Sequence, residues 1–208
     1  DKALHDADLQ TALYRVDKNF TARRTAAVTA LPEFEALRDD AVKIKDHTLA
    51  HLDLYLEKCE ENVTAQGGHV HWAATPEDAR QIILDLCRAA GARTVTKGKS
   101  MIAEEVALNP FLEQHGITPV ETDLGEYIIQ LADEPPSHII GPAIHKTKEQ
   151  VSDLFVEHHK KYGKTQRLTE GVDLVAEARE ILRPRYLEAD VGITGANFLI
   201  AETGTSVI

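Results

Sequence analysis

The sequence predicts an α/β fold with a parallel-sheet, layered architecture and an N-terminal helical extension. Three observations carry this. Beyond residue 69, short β-branched stretches alternate with amphipathic helical ones, a pattern that joins parallel strands through right-handed crossovers. Before it, the chain shows only helical periodicity. The 208 residues, 43% of them hydrophobic, are enough to bury the core of one such domain. The expected division is a helical arm and long helix over residues 1–66, then an α/β domain over 67–208 that is C-terminally incomplete.

Residues 1–30 are polar and Ala-rich and read as a helical arm. Glu33 to Val63 carries the strongest helical signal: Phe34, Leu37, Ala41, Ile44, Thr48, Leu52, Tyr55, Cys59 and Val63 follow steps of three and four. Pro32 suits its start, and Gly67–Gly68 its stop. His69–Ala73 reads as a strand. Thr75, Pro76 and Asp78 then supply a cap, a favoured first residue and an acid in the first turn of a helix. Ala79, Ile82, Ile83, Leu86 and Ala90 form its expected buried stripe, and Gly91 ends it.

Thr94–Thr96 reads as a short strand, Met101–Gln114 as a helix kinked at Pro110, and Ile117–Glu121 as the next strand. Asp123 and Glu126 have capping-box spacing around a short helix through Leu131. Pro135–Pro136 break the chain before a strand at His138–Ile140. Thr147 and Gln150 repeat the box ahead of a helix with Val151, Leu154 and Phe155. Tyr162–Arg167 is a polar, basic linker. Thr169–Leu187 is helical, with Val172, Val175, Ala178 and Leu182 on one face. Val191–Ile208 is punctuated by glycine and rich in β-branched residues, and Thr205–Ile208 reads as a strand with no stop signal, so the natural chain is expected to continue.

Composition excludes several classes. A net charge of −11 with no basic stripe argues against a nucleic-acid partner. No apolar run reaches the roughly 20 residues of a membrane span, and with no n-region and h-region visible at the start of the sequence no secretory signal is expected in it. The chain begins at Asp1 without Met, so a natural N-terminus is expected to be missing. Cys59 and Cys87 are the only cysteines; both fall on apolar helical faces and read as buried structural thiols.

Thr96-Lys97-Gly98-Lys99-Ser100 lies between a strand and a helix. A phosphate-binding P-loop needs a glycine five residues before Gly98, where Arg93 stands, so that reading fails. The carboxyl end of a parallel strand is still where open α/β sheets bind ligands. Lys97, Lys99 and Ser100 are therefore candidates for an anion or carboxylate, against the alternative that Ser100 only caps the helix and the lysines are solvated.

His69 and His71, and His47 and His51, are pairs without a third ligand at fixed spacing, so no metal site is expected. Asp123, Glu126 and His145 follow strands and are candidate ligand contacts, with capping as the bland explanation for the two acids. In the tail, Asn197, Glu202, Thr203, Gly204 and Thr205 set polar groups in an apolar segment. An acid there is costly unless it is paired, functional or turned to solvent.

Lys97-Gly98-Lys99-Ser100-Met101 with Glu104-Glu105, the run Glu121-Thr122-Asp123-Leu124-Gly125-Glu126-Tyr127-Ile128-Ile129-Gln130-Leu131, Pro136 to His145 and Ile193 to Thr205 together resemble the LUD family, over roughly residues 30–208. The resemblance is to its lactate-utilisation iron–sulfur (LutB) type. It implies the fold of sugar-phosphate isomerases and CoA transferases. It also implies a part in oxidising L-lactate to pyruvate within a multi-subunit cytoplasmic complex, with other subunits and a small anionic ligand as partners.

Members of this type carry ferredoxin-like cysteine clusters C-terminal to the LUD domain. Two lone cysteines cannot supply the four that each cluster needs. No cofactor is therefore expected within this chain, and 4Fe–4S clusters are expected in a missing C-terminal region. The CoA-transferase likeness suggests Glu202 as a catalytic nucleophile, an idea that fold analogy alone does not establish. Two alternatives stand beside the lactate reading: an independent CoA-transferase- or isomerase-like enzyme, and a non-catalytic docking module. All readings with a shared site place the Lys97–Ser100 turn and the Asn197–Thr205 tail at one rim of the sheet.

Overall fold

The computed structural model describes residues 3–137 and 140–208. The polar arm is helical, as α1 (Ala7–Val16), a π-helical turn (Asp17–Thr21) and α2 (Ala22–Thr29). The strong helical signal that follows forms two helices rather than one, α3 (Phe34–Ala50) and α4 (Leu52–Ala65). The break falls at His51, whose φ of −129° and ψ of 32° leave the helical region. No proline or glycine marks it. A 3.0 Å hydrogen bond between His47 Nε2 and the Tyr55 hydroxyl spans the corner. Cys59 is buried, but Leu37, Ile44 and Leu52 of the same predicted stripe are exposed.

His69–Ala73 is not a strand; among the described residues it pairs with none. Its alternation was the only signal for one, and an isolated strand leaves its backbone groups without ladder partners. The helix α5 (Pro76–Ala89) begins as expected: Thr75 Oγ1 accepts from the Asp78 N–H and Asp78 accepts from the Thr75 N–H. Its buried face is turned from the predicted one. Leu84 and Cys87 are buried with Ile83 against them, while Leu86 and Ala90 are exposed. Two overlapping stripes satisfy helical periodicity here, and packing against Val95, Leu108 and Leu112 selects between them.

β1 (Thr94–Gly98) leads to two short helices, α6 (Met101–Glu105) and α7 (Leu108–Gln114), where one kinked helix was expected. The break is at Ala107, in the left-handed region with φ 52°, rather than at Pro110. Pro110 lies in the first turn of α7, where a missing N–H costs no intrahelical bond. β2 (Thr118–Glu121) precedes α8 (Leu124–Ala132), capped by Asp123, whose carboxylate accepts from the Gly125 and Glu126 N–H groups. Of the strand expected at His138–Ile140, His138 and Ile139 lie outside the described residues and Ile140 is in a turn.

α9 (Lys148–His159) opens on the expected Thr147–Gln150 box. α10 (Gly171–Glu188) buries Leu174, Ala178 and Ile181, and leaves the predicted Val172 and Val175 80% and 52% exposed. β3 (Val191–Thr194), β4 (Phe198–Ile200) and β5 (Thr205–Val207) close the chain.

The fold is α/β. β2, β1 and β3 form a parallel sheet in that order, and β4 and β5 form an antiparallel hairpin. The chain divides into two compact units. The first comprises residues 1–14 and 73–195, and the second residues 15–72 and 196–208. The first holds the parallel sheet and two apolar clusters, one around Leu84, Val95, Leu108 and Leu112, the other around Tyr127, Phe155, Leu174 and Ala178. Each fully buried aliphatic or aromatic side chain there contributes about 1.5–3 kcal/mol of transfer free energy. The second holds α2, α3, α4 and the hairpin. Among the described residues, no helix is long and apolar enough to cross a membrane.

Candidate functional site

The parallel register of β1 and β2 sets Lys97 directly opposite Glu121 at the strands' carboxyl ends. Both are buried, at 1% and 2% exposure. The Lys97 ammonium donates to Glu121 Oε1 at 2.8 Å and to Glu104 Oε1, from α6, at 2.6 Å. Burial weighs against its charge, but the two carboxylates outweigh that and raise its pKa above the ordinary lysine value. Asn109 Nδ2, from α7, donates to the same Glu121 oxygen at 2.7 Å. Gln130, from α8, accepts from the Glu121 N–H and donates to the Pro119 carbonyl, which fixes the end of β2. Lys97 is thus not a cation waiting for an anion; it is the shared counter-ion of two carboxylates.

One ammonium serves two carboxylates, and Glu121 is the more deeply buried of the two. Burial pushes that carboxyl above the usual range, more than Lys97 and Asn109 pull it down. Glu121 Oε2 and Asn109 Oδ1 are buried without a hydrogen-bond partner. A proton on Oε2 would give the one a donor role toward acceptors such as the other. The pair lies against a cavity of about 420 Å³ lined by Glu104, Asn109, Glu121, Glu126, Gln130 and Glu134, so the cavity is acidic.

The sign of the pH effect follows. A raised native pKa means that the folded chain holds the proton more tightly than the unfolded chain. The stability this confers is full below the unfolded value, about 4.3 for a glutamate, and is lost as pH rises through the native one. Glu121→Gln cannot titrate. The stability of the parent relative to this variant should fall over that window in urea unfolding at a series of pH values. A difference that does not change with pH would show that Glu121 titrates normally.

The other expected residues of the first unit take local roles. Ser100 Oγ accepts from the Ala103 N–H and caps α6. Lys99 is exposed with φ 55°. Glu126 is buried beside the acidic cavity. His145 bonds through Nδ1 to Ser137 Oγ at 2.8 Å and through Nε2 to Glu134 at 3.2 Å. The hydrogen bond from Lys146 holds the Glu134 carboxyl below its usual range. Gly195 explains the tightness of the turn. A Cβ there would stand 2.0 Å from the Lys99 carbonyl oxygen, so β3 leaves the sheet pressed on the Lys97–Ser100 turn.

The tail residues belong to the second unit, in the β4–β5 hairpin. The turn and the tail that were expected at one rim therefore fall in different units. Glu202 is exposed, so its apolar neighbours in sequence impose no burial cost on it. The Asn62 amide donates to the carbonyls of Ala201 and Glu202. Thr203 and Thr205 share a 2.8 Å hydroxyl hydrogen bond, and the Asn197 N–H donates to the Val207 carbonyl. Gly204 has φ 68°, and a Cβ there would meet the Val63 nitrogen at 2.5 Å. The glycines of the tail thus permit close approach to protein backbone.

Glu104, Asn109 and Glu121 were missed as site residues. Their signal was present in part: aligning the two predicted strands at their carboxyl ends sets Lys97 beside Glu121. Also missed was a buried chain in which the Tyr127 hydroxyl bonds His159 Nε2 at 2.9 Å and His159 Nδ1 bonds Glu177 at 2.7 Å. Burial pushes the Tyr127 phenol up, so it stays a neutral donor. Among the described residues, no three or more His, Cys, Asp and Glu side chains are placed to hold a metal ion. Cys59 and Cys87 are both buried and lie in different units, and do not fit an iron–sulfur cluster.

A family model for the LUD domain matches residues 56–208. The chain is 46% identical over 198 residues to Lactate utilization protein B of Bacillus velezensis, which covers 95% of this chain and 41% of that protein. It is 48% identical over 184 residues to the protein of the same name from Geobacillus thermodenitrificans, covering 88% and 38%. For that of Bacillus subtilis the identity is 44% over 198 residues, covering 95% and 40%. The chain thus spans about two fifths of the length of these relatives. No solved structure matches it. With the family's model covering the whole parallel sheet and the buried Lys97–Glu121 pair, this chain belongs to the LUD domain family.

Proposed function

We propose that the chain is the LUD domain of the iron–sulfur subunit of a cytoplasmic multi-subunit complex that oxidises L-lactate to pyruvate. The observation that carries this is the similarity to proteins named Lactate utilization protein B over nearly all of the chain. In this reading residues 1–66 are the helical arm and 67–208 the LUD domain. The 4Fe–4S clusters lie outside these 208 residues, since Cys59 and Cys87 cannot hold one. Iron and acid-labile sulfide analysis of the intact protein tests it. Stoichiometric iron is expected; a protein that is active in the complex but free of iron would overturn the assignment.

Within the domain, the carboxyl rim of the sheet is the ligand side, with Lys99, Ser100, Asp123, Glu126 and His145 around it. The acidic cavity over Glu121 disfavours a carboxylate, so a small anionic ligand is expected away from it. Glu202 is retained as a nucleophile to be tested by itself. Lactate-dependent reduction unchanged in Glu202→Gln would discard that role.

One observation favours a docking role for the second unit alongside this reading. Leu37, Ile44, Leu49 and Leu54 of α3 and α4 are each more than half exposed, and exposed apolar side chains that join into one patch mark a contact face. We assign them to contacts with other subunits. Turnover of a CoA thioester or sugar phosphate by the isolated intact protein would instead favour the stand-alone enzyme.

A further inference from the structure

The first unit has a second cavity, of about 370 Å³, between the start of α8 and α10. Thr122, the first residue after β2, forms one wall, so it opens at the carboxyl end of the sheet. Thr122 is tied to the Lys97 carbonyl through its N–H at 2.8 Å and its hydroxyl at 3.0 Å, and the cavity therefore borders the Lys97–Ser100 turn. Arg179 and Arg183, one helical turn apart on α10, both line it. Neither has a carboxylate partner among the described residues, in a chain whose net charge is −11. Leu124, Val175 and Tyr186 give the remaining wall an apolar character, and all three are exposed. The volume is in the range of pockets that take ligands larger than a three-carbon acid.

We propose that this groove is an anion site for a small amphipathic molecule. Arg179 and Arg183 would take its carboxylate or phosphate, and Leu124, Val175 and Tyr186 its apolar body. The chemistry fits the parts. Guanidinium forks match the planar carboxylate and the phosphate oxygens. Desolvating the exposed apolar wall adds a drive that neither inorganic phosphate nor lactate can use. The groove also offers what the neighbouring cavity over Glu121 does not, since there every charged lining side chain is a carboxylate. Val175, which stays out of the core at 52% exposure, then has a reason to be apolar. The inference rests on the reading that the carboxyl rim of the sheet is the ligand side.

The test is calorimetric titration of the intact protein with phenyl phosphate, 3-phenyllactate, inorganic phosphate, L-lactate and phenol. One of the two amphipathic anions should bind at least about tenfold more tightly than the other three probes. The double variant R179A/R183A should lose at least about tenfold in that affinity while melting with the parent. Raising the salt should weaken binding, as these cations are solvent-exposed. Phenol binding as tightly as phenyl phosphate would reduce the groove to an apolar crevice and overturn the proposal, as would no binding by any probe. Binding that survives R179A/R183A but is lost in K99A would move the anion to the turn. The groove proposal would then fall while the ligand-side reading stands.

Discussion

Lys97→Met should destabilise the chain by about 3–5 kcal/mol in urea unfolding, the cost of leaving a buried charge without its partner. Lys97 is 1% exposed and its ammonium is shared by Glu104 and Glu121. Removing it leaves two carboxylates facing one another beneath an acidic cavity. For a chain of this size the loss corresponds to a fall of roughly 6–20 °C in melting temperature. The double variant Lys97→Met/Glu121→Gln should recover part of the loss, because the more deeply buried carboxylate is then neutral. A single variant within about 1 kcal/mol of the parent would mean that water reaches the cluster and the pair is solvated.

The second large effect is at Gly195. Its φ is not the reason for glycine there; space is. An added Cβ would stand 2.0 Å from the Lys99 carbonyl oxygen, 3.0 Å from its carbon and 3.2 Å from Ser100 Cα. These are backbone atoms on both sides, with no flexible side chain to move aside. Gly195→Ala should therefore cost about 3 kcal/mol, at the upper end of overpacking effects. The strain acts on the turn that carries Lys99 and the Ser100 cap of α6, so the cap should loosen along with the end of β1. An alanine variant that melts with the parent would show that β3 does not press on the turn.

The elements legible in the sequence were those fixed by local chemistry. Thr75 with Asp78 and Thr147 with Gln150 are reciprocal caps whose partners lie three residues apart, so the signal is complete within one turn. Gly91 ends its helix at φ 66° for an equally local reason. The strands at Thr94 and Thr118 were found to within a few residues. Choices made by distant packing were not legible. The buried face of α5 depends on which apolar stripe meets Val95, Leu108 and Leu112, that of α10 on packing with Tyr127 and Phe155, which takes in Ala178 and Leu182 but not Val172, and His69–Ala73 had strand-like alternation but, among the described residues, no neighbour to pair with.

The candidate site was half legible for the same reason. The turn at Lys97–Ser100 was found from its position after a strand, and Ser100 caps as one of the two readings allowed. The role of Lys97 depends on the register that brings Glu121 alongside and on an α6 that begins at Met101 and offers Glu104. A sequence without a sheet register does not show which lysine of the two is buried. Arg179 and Arg183 were invisible because an exposed helical pair reads as solvated until a cavity is seen beside it.

The most direct measurement is lactate-dependent dye reduction by the intact complex carrying Lys99→Ala, with melting recorded on the same protein. Lys99 is exposed, immediately after the carboxyl end of β1, so its loss should leave stability within about 0.5 kcal/mol of the parent. Activity should fall roughly tenfold if the rim serves the reaction. Full activity in this variant, whatever its melting temperature, would contradict a functional role for the carboxyl rim of the sheet.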